Sequence, residues 1–301
     1  MCAKLILSIL AVILMAFHSL AEPLRVASLH PLVSDIARQV GGEQVDLIEL
    51  MPLDSNPHHF YPTPATLKEA AKAELVLAAG KGLEFYLDDL RESLGGGVPV
   101  IEVGRAVPSL RVEANEIFVC CPAHAQGAID PHWWHSIKNV RRAAAFLADE
   151  FGERRPEHAD TFKANYRDYA KRLDELYAWA RKEVASIPRA DRELTTAHAA
   201  FGYLCRELGL RSITVLGLTK ETDAEPGYLK NVIQTLREQE VKAVFPEDNA
   251  NPKVLESIAR EAGVRIGGQL HGDMLGPHDP TYEAMMRCNI NTLIEGLRGQ
   301  D

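Results

Sequence analysis

The chain has 301 residues, of which 46% are hydrophobic and 25% charged, with a formal net charge of −9. That length supports one large domain or two medium ones, and the composition excludes a disordered or polytopic membrane protein. An acidic chain without a basic stripe also argues against nucleic acid and anionic membrane surfaces as partners.

Residues 1–21 differ in kind from the rest. One Lys precedes an apolar run from Leu5 to Phe17, and Ser19-Leu20-Ala21 follows as a small-x-small cleavage signal. The run is shorter than the roughly 20 residues of a membrane span, so a signal peptide cleaved near Ala21 is expected, with periplasmic localisation and no membrane insertion of the mature chain. Its loss removes one Lys and no acid, taking the formal charge from −9 to −10. Cys2 lies before the apolar run, which does not indicate a lipid-modified mature N-terminus. Cys120, Cys121, Cys205 and Cys288 remain; export permits disulfides, but the sequence does not choose a pairing.

From residue 22 onward, short apolar runs alternate with helical patterns. "LRVASL" and "QVDLIEL" read as strands around the helix "PLVSDIARQVGG"; "ELVLAAG" and "VPVIEVG" follow, interleaved with "ATLKEAAKA" and "GLEFYLDDLRESL". This alternation predicts βαβ units and a parallel sheet with helices on both faces. "LGGG" at 94–97 follows a helical pattern and precedes a strand, so it reads as a helix stop rather than a phosphate loop.

Next comes a long helical segment, 156–188, with apolar residues at Phe162, Tyr166, Tyr169, Leu173, Leu176, Ala180 and Val184. Steps of three and four make one stripe, and about 30 residues give a rod about 45 Å long. A second alternating series then runs from "RELTTA" through "SITVLG", "KAVFPE" and "VRIGGQL" to the helix "TYEAMMRCNINTLIEGL". The expected architecture is α/β: a signal peptide (1–21), an N-terminal Rossmann-like lobe (22–155), a rigid linking backbone helix (156–188) and a C-terminal lobe (189–301).

Ligands of open parallel sheets bind beyond the carboxyl ends of the strands. The polar residues there include His58 and His59 after "QVDLIEL", His132 in "IDPHWWHS", His198 after "RELTTA" and Asp273 after "VRIGGQL". Three imidazoles and a carboxylate suit zinc, which takes N and O donors in tetrahedral geometry.

"NPHHFYPTP", "DPHWWHSIKNV", "TAHAAFGYLCRELGL", "VFPEDNANPKVLESIAREAGV" and "GDMLG" occur in the order of the cluster A-I, or zinc/manganese, solute-binding proteins of ABC transporters, which the whole mature chain resembles. The resemblance implies two α/β lobes joined by one backbone helix, a metal clamped between them, and a membrane ABC permease as partner. Position by position it implies His58, His132, His198 and Asp273 as ligands, with His59 a neighbour that faces solvent or stands behind a ligand. Manganese binders of the family carry a carboxylate at the third position, so His198 points to Zn²⁺ as the transported ligand, with Mn²⁺ less favoured.

One departure is the short segment before His132, which holds only His124 where many zinc-binding members carry a long His-rich loop. Cys120, Cys121 and His124 are soft donors close together in sequence, but ordinary loop packing or a disulfide is expected ahead of an accessory site. His135 is expected to hydrogen-bond, His271 to lie at the surface or behind a ligand, and His30, His158 and His278 to be solvated. Glu247 could orient a ligand imidazole, but a solvated loop acid is the expectation. Four protein ligands fill a tetrahedral site, and His-Glu-x-x-His is absent, so a binding protein, expected to be monomeric, is favoured over a zinc hydrolase. A manganese- or iron-binding member of the same family is the nearer alternative.

Overall fold

The computed structural model describes residues 22–52, 55–111, 117–118, 127–215, 226–248 and 252–298. The signal segment and the cluster Cys120, Cys121 and His124 lie outside these residues. The first half of the chain builds a four-stranded sheet from β1 (Leu24–Ser28), β2 (Val45–Glu49), β3 (Leu75–Ala78) and β4 (Val100–Glu102), in the order β2-β1-β3-β4 and parallel throughout. Helices α1 (Pro31–Gly41), α2 (Pro64–Ala70) and α3 (Leu87–Ser93) make the crossovers. Gly95 and Gly96 take φ of 61° and 73° just beyond α3, the helix stop expected of "LGGG".

The second sheet has the order β11-β10-β8-β9-β6, and its pairs are also parallel. Four strands, β8 (Glu193–Thr196), β9 (Arg211–Thr214), β10 (Ala243–Phe245) and β11 (Arg265–Ile266), come from the expected C-terminal lobe. The fifth, β6 (Ile117–Phe118), comes from the other side of the expected division and pairs with β9. A small antiparallel pair, β5 (Leu110–Arg111) with β7 (Ile129–Asp130), lies on either side of it in sequence. One strand of the expected N-terminal lobe thus completes the second sheet.

Between the sheets run α4 (Ile137–Arg154) and the long helix α5 (Ala159–Ala185), followed by α6 (Gly202–Leu208), α7 (Pro226–Glu238), α8 (Pro252–Ala262) and α9 (Tyr282–Arg298). The 27 residues of α5 make a rod of about 40 Å. Its stripe is buried as the periodicity requires, with only Tyr166 half-exposed. Phe162, Tyr169, Leu173 and Val184 belong to one apolar cluster with Leu24 and Val26 of the first sheet and Leu194 and Phe245 of the second. The linking helix is therefore a shared wall of the cluster that spans both sheets, while two smaller clusters belong to one sheet each.

The halves are also tied by each other's acids. Glu207 of α6 accepts from Ser136 Oγ at 2.6 Å and from the Ile137 N–H at 2.9 Å, at the start of α4. Asp35 of α1 accepts from the Tyr282 N–H at 2.9 Å, at the start of α9. A carboxylate at a helix N-terminus satisfies an orphan N–H and complements the helix dipole. No described helix is long and apolar enough to cross a membrane.

Candidate metal centre

His58 lies in the turn after β2, and the residues that follow explain how it is held. In Pro62-Thr63-Pro64, Thr63 caps α2 by accepting from the Thr66 N–H while Pro64 occupies the first turn, where no N–H is needed. The proline pair thus fixes the far end of the segment that carries His58. At the near end the His58 N–H donates to Asn56 Oδ1 at 2.9 Å. His59 is exposed, as expected.

His132 follows β7 and is fully buried. Asp130 Oδ1 accepts both from its N–H and from its Nδ1–H, each at 2.8 Å. Protonation on Nδ1 leaves the Nε2 lone pair facing the centre.

His198 is fully buried beyond β8. Glu247 Oε1 accepts from its N–H at 2.9 Å, and Glu247 Oε2 from its Nδ1–H. Glu247 is 2% exposed, which overturns its reading as a solvated loop acid. Sheet register explains the pairing: Thr196 of β8 lies opposite Phe245 of β10, and His198 and Glu247 each follow two residues later. The acid two residues after "AVF" and the histidine two residues after "LTT" leave these strands together only because β8 and β10 are neighbours in the sheet. Burial alone would lower the His198 imidazole, but the carboxylates of Glu247 and Asp273 outweigh it and raise it to about 10. In the metal-free chain a proton therefore occupies Nε2.

Asp273 completes the group. Its Oδ1 lies 3.6 Å from His58 Nε2, 3.5 Å from His132 Nε2 and 3.5 Å from His198 Nε2, while the Nε2 atoms of His58 and His132 are 3.2 Å apart. These spacings have a simple meaning. Donors about 2.0–2.1 Å from a tetrahedral ion lie about 3.3 Å from one another, whereas adjacent octahedral positions at the same bond length would be about 2.9 Å apart. The four sequence-derived residues are brought together at distances suited to tetrahedral capture.

The "HWWH" segment ties this group to both sheets. Trp133 Nε1 donates to Ala79 O at 3.0 Å, just past β3. Trp134 Nε1 and His135 Nε2 donate to Gly272 O at 3.0 and 2.7 Å, next to Asp273. A Cβ at Gly272 would lie 3.0 Å from Glu247 Oε2 and 3.4 Å from His198 Cε1, so this backbone approaches the hydrogen-bonded His198–Glu247 pair where a side chain has little room. His135 thus makes the expected hydrogen bond, and burial pushes it down to about 3.

Two expected solvated histidines are placed otherwise. His30 is 1% exposed: it caps α1, accepting from the Leu32 N–H, and its ring lies 4.5 Å from that of Trp134. His158 is half-buried against Phe162, because the turn before α5 folds onto the helix. His278 is exposed, as expected. Cys205 and Cys288 are not bonded to each other, and no disulfide occurs among the described residues.

Two parallel-sheet halves around a long helix, with imidazoles and a carboxylate gathered between them, define a class of α/β metal-binding solute receptors. The chain belongs to the family described as "Zinc-uptake complex component A periplasmic", ZnuA, which its residues 26–296 match. It is 32% identical over 291 residues to the manganese-binding lipoprotein MntA of Bacillus subtilis, covering 94% of this chain and 92% of that one. It is 22% identical over 286 residues to the manganese ABC transporter substrate-binding lipoprotein PsaA of Streptococcus anginosus, covering 92% and 90%. Among solved structures, the periplasmic zinc-binding protein TroA of Treponema pallidum superposes with a TM-score of 0.81 at 25% identity, covering 92% of this chain and 99% of that one. Members of this family are metal-binding substrate-binding components rather than enzymes.

Proposed function

We propose that the mature chain captures Zn²⁺ through His58, His132, His198 and Asp273 outside the cytoplasm and delivers it, as a monomer, to an ABC-type permease. The observation that carries this reading is the convergence of three imidazole Nε2 atoms on one carboxylate oxygen at 3.5–3.6 Å. Asp130 and Glu247 orient two of those imidazoles from behind, an arrangement that raises ligand basicity and fixes the tautomer. Nitrogen-rich donors at tetrahedral spacing favour zinc over the harder Mn²⁺.

The manganese reading has its own support in the names of the relatives MntA and PsaA. Competition between the two ions decides. Purified mature chain is titrated with Zn²⁺ and Mn²⁺ against a chromophoric chelator, with elemental analysis of the product. Preference for Mn²⁺, or tight zinc binding that survives His58→Ala, His132→Ala, His198→Ala and Asp273→Ala, would overturn the zinc assignment.

Lobes 22–155 and 189–301 around a stiff helix at 156–188 imply that release proceeds by small shifts and local loop motion. Small-angle scattering of metal-free and loaded protein should give closely similar dimensions; a large compaction on loading would contradict this.

A further inference from the structure

Beside the group already described, three other metal-binding side chains meet. His271, Asp279 and Cys288 each place one donor atom within 4.8 Å of the other two. They arrive from the segment after β11, from the turn before α9 and from α9 itself.

His271 is held firmly. Its N–H donates to Asn289 Oδ1 at 2.8 Å, and Asn289 Nδ2 donates to His271 O at 2.9 Å. Asn289 is 1% exposed and adjoins Cys288, so the two elements are fixed to each other at this point. Asp248 Oδ2 lies 3.2 Å from His271 Nδ1, while Asp248 Oδ1 accepts from the Gly272 N–H at 3.0 Å. Nε2 then faces Asp279 Oδ2 at 3.4 Å. The order of carboxylate, imidazole and further donor repeats Asp130 with His132 and Glu247 with His198. Gly276 makes room for the ring: a Cβ there would lie 2.5 Å from His271 Cε1.

We infer that His271 Nε2, an Asp279 oxygen and Cys288 Sγ form an accessory site for a thiophilic divalent ion of the zinc or cadmium class. A nitrogen, an oxygen and a sulfur donor supply three positions of a tetrahedron, and the fourth is left to water. Of the three donors, His271 borders a groove of about 770 Å³ that is also lined by Arg38, Glu49, Asp248, Met274 and His278.

Binding of the ion forms one M–N, one M–O and one M–S bond, and the Sγ proton passes to solvent as the thiolate coordinates. No electron changes hands. Because Gly272 and Asp273 directly follow His271, an ion here stiffens the segment that supplies Asp273 to the other group.

This inference goes beyond the zinc-capture reading and is tested apart from it. Full-length mature chain carrying Cys120→Ser and Cys121→Ser is titrated with Co²⁺ under reducing conditions, and thiolate-to-cobalt charge transfer is followed in the near ultraviolet. The three histidines and Asp273 supply no sulfur, so the band reports on a cysteine. The expected result is a band that appears with cobalt, vanishes in Cys288→Ala, and needs at least about tenfold more cobalt in His271→Gln and Asp279→Asn. Asp279→Asn leaves α9 untouched, and far-ultraviolet dichroism checks the fold of each variant. The band should persist in Asp273→Ala, where capture at the other group fails. Absence of the band at saturating cobalt, or its survival in Cys288→Ala, would overturn the accessory site.

Discussion

His58 and His198 face the same carboxylate oxygen but are held by different means. His198 is fully buried, and a single buried acid, Glu247, takes both its backbone N–H and its Nδ1–H. His58 is positioned through its backbone, on a turn anchored by Asn56 and the cap of α2, and its side chain retains 6% exposure. The inner side of the group is pre-ordered by charge within a packed core. The outer side is ordered by turn chemistry near solvent, where opening is easiest.

The largest effect should come from the inner side. If four ligands share the roughly 10–16 kcal/mol of a structural zinc site, each contributes about 3 kcal/mol, so Asp273→Ala or His198→Ala should weaken zinc binding by about a hundredfold or more. His58→Ala should be the mildest of the four ligand losses, and chelator competition across the set gives the order. A His58 variant weaker than both inner variants would reverse the comparison.

Glu247→Gln touches no metal donor but removes the charge behind His198, and should weaken zinc by about 10–100-fold. The same variant sharpens the pH test. With His198 raised to about 10, the proton competes with the ion across the neutral range, so affinity should fall about tenfold for each unit of acidification. The sign for folding follows from the same shift. Protonated His198 stabilises the metal-free chain fully below 6.5, and that contribution is lost as pH rises through about 10. Melting curves of metal-free protein should therefore decline over that window, and Glu247→Gln should flatten the decline. His59→Ala, at an exposed position one residue from a ligand, should change zinc affinity less than about twofold.

Much of this architecture is legible in the order of the amino acids. Strands, crossovers and the stripe of α5 follow from periodicity, and His58, His198 and Asp273 sit in loops after strands of the parallel sheets, whereas His132 follows β7 of the small antiparallel pair. What escapes such a reading is the burial of polar groups. Nothing in "VFPED" states that Glu247 lies inside, because its burial depends on β10 pairing with β8 rather than on its neighbours in sequence. His30 reads as a loop residue until Trp134 is packed onto it from more than a hundred residues away. Crossing of β6 into the second sheet escapes for the same reason: two residues carry no period, and only the partner strand defines them.

Reciprocal capping by Glu207 and Asp35 also bears on how such chains can diverge. Each half supplies an acid to start a helix of the other, and the stripe of α5 is buried in a cluster common to both. A chimera joined at residue 189 between this chain and a distant relative would inherit both helix starts from mismatched parents. Exchange of short loops around the ligands disturbs neither cap. Metal preference can thus drift by loop replacement, while the two halves must be inherited together.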